Sequence, residues 1–168
     1  MLFRSLGEKG GAVYMVEEGV MKNPKVDAIF GLHAWPGYVG KVYYRSGPTM
    51  AAAERMRITI KGVQTHGAAP WGGVDPIVVS SQIIMSLQTI MAREVDITAV
   101  PGVVTIGSIH GGVRNNIIPE EVVMEGTIRT FEEDIRQQIH KSIRDKVEMI
   151  ASASGAIGER SEERRVGK

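Results

Sequence analysis

An α+β fold is predicted by three features of the chain. Between residues 52 and 61, Met56, Ile58 and Ile60 alternate with Arg55, Arg57, Thr59 and Lys61, the two-residue period of a half-buried strand. Between residues 135 and 150, Ile135, Ile139, Ile143, Val147 and Ile150 recur at helical spacing, with Arg, Lys, Glu and Gln opposite. The segments between them complete the order strand, helix, strand, strand, helix. One more strand would finish a split βαββαβ, ferredoxin-like sheet. The reading places that strand outside the chain, which predicts an uncovered sheet edge.

Taken in order, the chain divides at about residue 48. Residues 1–48 read as a fragment of an α/β domain. A helix-like stretch runs from Ala12 to Val20 and breaks at Lys22-Asn-Pro24. The mostly apolar run from Val26 to His33 suits a strand buried on both faces of a parallel sheet. A further strand is expected from Tyr38 to Arg45, and Ser46-Gly-Pro48 is a natural hinge.

Residues 49–159 carry the α+β pattern. After the first strand, Asp75-Pro76 opens a helix, Asp as the cap and Pro in the first position. This helix, from Pro76 to about Val95, is apolar on more than one stripe (Ile77, Ile83, Ile84, Leu87, Ile90, Met91). A helix lying on one sheet needs a single stripe, so a second buried contact, such as a partner subunit, is expected. Pro101-Gly102 opens a strand over Val103–Ile109, and Gly111-Gly112 turns the chain with His110 read as part of the turn. A third strand spans Val122–Phe131, with Val122, Met124 and Ile128 on one face and Val123, Glu125, Thr127 and Arg129 on the other. Thr130-Phe-Glu-Glu133 has the form of a capping box, and Gly155 of a helix stop. His140, among Arg, Gln and Lys, reads as exposed surface. Leu2-Phe-Arg-Ser5 and the tail 160–168 resemble translated sequencing adapters and are read as foreign to the fold.

With 43% hydrophobic and 23% charged residues the chain can bury a core, and a net charge of +1 supplies no field for nucleic acid or acidic lipid. The absence of cysteine excludes disulfides and thiolate metal sites and leaves the compartment open. No apolar run reaches the roughly 18–20 residues that span a bilayer.

Three polar residues fall outside any packing requirement: His66 in Gly62-Val-Gln-Thr-His66-Gly-Ala-Ala-Pro70, Asn116 in Asn116-Ile-Ile-Pro119, and Arg129 in Gly126-Thr-Ile-Arg129-Thr-Phe131. An imidazole, an amide and a guanidinium together suit an acyl oxygen and a carboxylate. A fourth candidate, His33, ends its apolar run where open α/β sheets bind ligands. No second ligand stands at metal-binding spacing from it.

These motifs, with Gly31-Leu-His-Ala-Trp-Pro36, Gly73-Val-Asp-Pro76, Leu87-Gln-Thr-Ile90 and Ala92-Arg-Glu-Val95, resemble the aminoacylase and hippurate hydrolase group of di-zinc amidohydrolases and metallopeptidases. The resemblance runs from about Gly10 to Gly155. It implies a catalytic domain holding two metals and an inserted ferredoxin-like lid that carries a homodimer interface. By resemblance His33 is a metal ligand. His66 reaches a neighbouring subunit's site to steady the tetrahedral oxyanion, and Asn116 and Arg129 hold the substrate's amide and carboxylate. The implied cofactor is zinc, two per site in the parent, with manganese or cobalt as substitutes. The implied substrate is an N-acyl amino acid or related small amide, attacked by metal-bound hydroxide.

The chain departs from that pattern by lacking the upstream Asp-Gly-His motif, the paired Glu-Glu and the downstream metal histidine. Glu8, in the variable loop after the family's acidic pair, does not stand in for it. The segment alone is therefore expected to be inactive. Two other readings compete. A free-standing ferredoxin-like module has no use for the stretch Val26–Pro48. An RNA-binding sheet needs aromatic rings on its central strands, which Val103–Ile109 lacks.

Overall fold

Strand β1 (Ala52–Lys61) lies inside the main sheet of the structure, a computed structural model that describes residues 11–165. The expected foreign segment 2–5, Glu8 and the last three residues of the tail lie outside the described residues. Helix α1 (Gly11–Glu17) comes first. A two-residue strand, β2 (Thr65–His66), and helix α2 (Pro76–Thr89) follow β1; β3 (Gly102–Gly111), a second short strand β4 (Ile117–Ile118), β5 (Glu121–Thr130), helix α3 (Glu133–Ala153) and β6 (Ile157–Arg165) complete the chain. The main sheet has the order β3-β5-β1-β6 with every neighbour antiparallel. That is the ferredoxin-like arrangement, with α2 and α3 on one face. Among the described residues no helix is long and apolar enough to cross a membrane.

The alternation in β1 works as the pattern requires. Met56, Ile58 and Ile60 are fully buried, and Val122, Met124 and Ile128 of β5 join them on the helix-covered face. Val79, Ile83, Leu87 and Ile90 from the first helical segment, and Ile139, Ile143 and Val147 from α3, close the core. Asp75 caps α2 through Oδ1, which accepts from the amides of Ile77 (2.8 Å) and Val78 (3.2 Å). Beyond Thr89 the helix widens into a π turn, Ile90–Glu94, ended by Val95 N–H donating to Ile90 O at 3.2 Å. Helix α3 ends in a Schellman motif. Gly155, at φ +74°, donates to Ser152 O (3.0 Å), and Ala156 donates to Ala151 O (2.8 Å).

Several expectations are corrected. The fourth strand is present: β6 pairs with β1 from Lys61↔Ile157 to Ala53↔Arg165, so six residues of the expected tail serve the sheet. An edge strand needs little apolar alternation. Here Gly158 lies so close to α3 that a Cβ would meet Val147 Cγ1 at 2.8 Å, and Arg160 turns inward. The strands expected at Val26–His33 and Tyr38–Arg45 do not form. Phe30 is 96% and Leu32 91% exposed, because a doubly buried strand needs sheet neighbours on both sides and none lies beside it among the described residues. The capping box is absent: β5 carries Thr130 into the sheet, buried opposite Ala52 and Gly102, and the cap of α3 falls on Glu132. His110 is a strand residue facing Val123, since β3 continues to Gly111.

The largest correction concerns His140, which is 3% exposed. Its Nε2 lies 2.6 Å from Glu54 Oε2, and Arg160 donates through Nη2 to Nδ1 (2.7 Å) and through Nη1 to the His140 carbonyl (2.8 Å). Arg136 Nη1 donates to Glu54 Oε1 at 3.0 Å. A guanidinium can only donate, so Nδ1 accepts and the ring proton sits on Nε2, toward Glu54. Three elements are thereby tied through one buried pair: β1 supplies Glu54, α3 supplies His140, and Arg160 of β6 binds the far side of the ring. Replacing Glu54 with Leu takes the carboxylate away from the buried His140 ring and from Arg136 Nη1, and should lower unfolding free energy by about 3–5 kcal/mol in urea titration. A loss below about 1 kcal/mol contradicts the network's role.

The π turn is tied to α3 in a similar way. Glu94 accepts from Ser142 Oγ (2.5 Å) and pairs with Lys146 Nζ (2.9 Å). The Ser142 hydroxyl, with Lys146 adding to it, holds the Glu94 carboxyl below the usual carboxylate range. A carboxylate with a depressed folded-state pKa stabilises above its unfolded value, and the contribution is lost as pH falls through the folded one. Glu94→Gln should therefore cost about 1 kcal/mol at neutral pH. The gap from the parent chain should close below about pH 4 in denaturant titrations. A gap independent of pH contradicts this.

Candidate functional site

His66 and Asn116 meet at one end of the main sheet, on a small ribbon of their own. Strands β2 and β4 pair as Thr65↔Ile118 and His66↔Ile117, and Gly67 N–H donates to Asn116 O at 2.8 Å. The ribbon is fastened to the Lys61 end of β1 by Gly62 N–H donating to Glu120 O (2.7 Å). It is fastened to the start of α2 by the reciprocal Val63–Val74 amide pair, 3.0 Å each way. Both side chains are exposed. The His66 ring has one nitrogen committed: Nδ1 accepts from Ala68 N–H at 3.1 Å. In its neutral form the ring then carries its proton on Nε2, leaving a single N–H donor to point at a ligand.

Two open clefts flank this ribbon. One, of about 430 Å³, is walled by Gly67, Ile77, Gly112, Val113, Arg114 and Ile117 among others. The other, of about 360 Å³, is walled by Gln64, Val113, Arg114, Ile117, Pro119 and Glu120. Arg114 borders both. It went unremarked among the candidates, although the sequence holds a signal for it. It is the single Lys, Arg, Asp or Glu between Asp96 and Glu120, two residues before Asn116.

Arg129 is not part of this group within one chain. It lies on the uncovered face of β5, between Ala53 of β1 and Val103 of β3. Its Nη1 donates to Ile128 O (3.0 Å) and to the Thr127 hydroxyl. Eight residues of extended strand separate it from Glu121, beside the ribbon, which is roughly 26 Å at about 3.3 Å per residue. The same face carries Arg55 and Arg57, both on Glu125 (3.0 and 3.3 Å). Arg55 foremost holds that carboxyl below its ordinary range. Charge on this face is thus largely self-satisfied, whereas Arg129 pairs with no carboxylate among the described residues.

His33 is exposed in irregular backbone, its Nδ1 2.6 Å from Ala34 O and its ring edge-on to Trp35 at 6.0 Å. Among the described residues no three His, Cys, Asp or Glu side chains gather where a metal ion could be held.

The two flanks of the sheet differ in charge. Helix α2 has no ionisable side chain, and Ile77, Val78 and Met85 on its outer side are exposed, Met85 by 72%. Its neighbour β3, an outer strand of the sheet, has His110 as its one ionisable group and leaves Val103 and Ile109 exposed. On the other flank, α3 is highly charged and β6 reads Ile-Gly-Glu-Arg-Ser-Glu-Glu-Arg-Arg.

Comparison with known proteins finds one family profile and several relatives. A family profile described as a peptidase dimerisation domain matches residues 53–154. The N-acetyl-L-cysteine deacetylase of Bacillus subtilis is 40% identical over 155 residues, covering 91% of this chain and 36% of that protein. Thermostable carboxypeptidase 2 of Saccharolobus solfataricus is 39% identical, covering 91% and 38%. Among solved structures, the Bacillus subtilis YXEP protein, a dinuclear metal binding peptidase from the M20 family, superimposes with a TM-score of 0.68 at 34% identity, over 92% of this chain and 37% of its own. The chain thus spans well under half the length of these relatives.

Proposed function

The chain belongs to the peptidase dimerisation domain family, and on that premise we propose that residues 49–165, with β6 included, are the lid of a metal-dependent amidohydrolase acting on N-acyl amino acids or related small amides. Residues 1–48 are then a piece of its catalytic domain, with His33 one ligand of a metal centre completed by the rest of that protein. Zinc is the expected ion. The remaining ligands and the catalytic steps belong to the complete protein.

The observation that carries the reading is the length of β5 between Arg129 and the His66–Asn116 ribbon. One small substrate cannot bridge roughly 26 Å. Two copies joined at β3 by a two-fold axis normal to the sheet remove the difficulty. Antiparallel pairing of β3 with its twin reverses the second copy, so that one copy's Arg129 comes to the ribbon end of the other. The lateral separation is then three strand spacings, about 14 Å, which two long polar side chains and a substrate can span. The uncharged β3–α2 flank supports this contact, and the charged β6 flank is the kind of edge that resists strand addition.

In such a pair His66 offers its Nε2–H to the developing oxyanion, Asn116 offers its amide to the acyl group, and Arg129 of the second copy grips the carboxylate. A free-standing binding module accounts for the ribbon less well. It also leaves Phe30, Leu32, Trp35 and Tyr44, all largely exposed, without purpose.

Met85→Lys places a charge in the middle of the uncharged flank and should turn a sedimenting dimer of this chain into a monomer. A wild-type chain that sediments as a monomer removes the two-copy site. In the intact, metal-loaded hydrolase, His66→Ala should lower kcat by about 10²–10³, the loss expected for one oxyanion donor, with metal content unchanged. Unaltered turnover would strip His66 of its role.

A further inference from the structure

We infer that Arg114 selects substrates carrying a second anionic group, so that the preferred amide is a dianion: an N-acyl amino acid with a further carboxylate on its side chain or its acyl group. The inference rests on the amidohydrolase reading above and adds to it the charge of the substrate.

Arg114 stands on the loop between β3 and β4, two residues before Asn116, and Ile117 N–H donates to its carbonyl (3.4 Å). The turn thereby fixes where the side chain starts. The residue is exposed, and its guanidinium makes no ion pair or hydrogen bond among the described residues. It borders both clefts beside His66, whose other walls include Val113, Ile117, Ile77 and Pro119.

Two carboxylates line the same clefts, and neither pairs directly with Arg114 among the described residues. Asp75 is committed to the cap of α2 through Oδ1. Glu120 lines the second cleft and forms no ion pair with Arg114 among the described residues. On the open face of the sheet, by contrast, Arg55 and Arg57 share Glu125, and on the helix face Arg136 reaches Glu54.

In the two-copy arrangement one site receives Arg114, Asn116 and His66 from one chain and Arg129 from the other. Neither guanidinium pairs with a carboxylate among the described residues, so each site offers two guanidinium forks for anionic groups. An N-acyl amino acid with an uncharged side chain answers one of them. A second carboxylate, held by a planar fork between apolar walls, answers the other.

The test is steady-state kinetics on the intact, metal-loaded hydrolase with matched substrates: N-acetylglutamate against N-acetylglutamine, and N-succinylalanine against N-butyrylalanine. In at least one pair the acid should exceed its neutral partner in kcat/KM by roughly tenfold to a hundredfold, the worth of a charge-assisted hydrogen bond. Arg114→Gln should bring that ratio close to one through a rise in KM for the acid, and Arg114→Lys should restore part of it. A wild-type enzyme without preference in either pair overturns the proposal, as does a preference that survives Arg114→Gln. Hydrolysis of none of the four substrates defeats the amidohydrolase reading itself, and this inference with it. Cleavage of neutral and acidic substrates alike leaves that reading standing and rejects only the role of Arg114.

Discussion

The structure depends on β1 being hydrogen-bonded along both of its edges while presenting a dry side to the helices. Met56, Ile58 and Ile60 are shut under α2 and α3, so the opposite side chains of the same strand must be those that tolerate water: Arg55, Arg57, Thr59 and Lys61. Register follows, because a slip of one residue would bring arginine under the helices. With the register set, the ends of the sheet are set too. The ribbon holding His66 and Asn116 is anchored at the Lys61 end, and the strand that leaves it delivers Arg129 to the far end. The separation of the polar groups is a property of strand length, independent of any loop conformation.

The flanks of that sheet are built for different surroundings. At β6 and α3 the charges are dense, and the buried Glu54–His140 pair joins side chains from three elements. At β3 and α2 the polar content is hydroxyls, amides and the single imidazole of His110, and apolar residues are already turned outward. An isolated copy therefore carries a surface with the composition of an interface rim and core. This asymmetry links the helix's excess of apolar residues, visible from Ile77 to Met91, to the placement of the candidate site.

Where the determinants are local, the sequence is legible. The alternation in β1, the Asp75-Pro76 helix start, the single stripe of α3 and the Gly155 stop each depend on neighbours within a few positions, and each is realised. His66 and Asn116 were legible as a pair for the same reason, since short motifs mark both. What failed depends on distant partners. His140 looks like surface beside Lys141 and Arg136, and it becomes core because Glu54 and Arg160, 86 and 20 residues away, meet it there. β6 has no apolar period because one of its edges is open and its inward positions hold glycine and arginine. The run Val26–His33 carries strand composition but lacks a neighbour to pair with. The distance from Arg129 to the ribbon is hidden in any list of motifs, since a thirteen-residue offset does not say whether the chain doubles back.

The antiparallel ladder between β1 and β6 has one more consequence, for assembly. Its partners run from Lys61↔Ile157 to Ala53↔Arg165, so the most deeply placed strand waits for residues about a hundred positions later in the chain. Contact order is high for this ladder and low within the helices, and the entropy of closing so long a loop must be overcome before the pairing repays it. The helical hairpins can therefore condense early, while the sheet's last seam closes late. Until it does, a strand with an apolar side stands unpaired along one margin, and that interval is when the chain is most open to pairing with a neighbour out of turn.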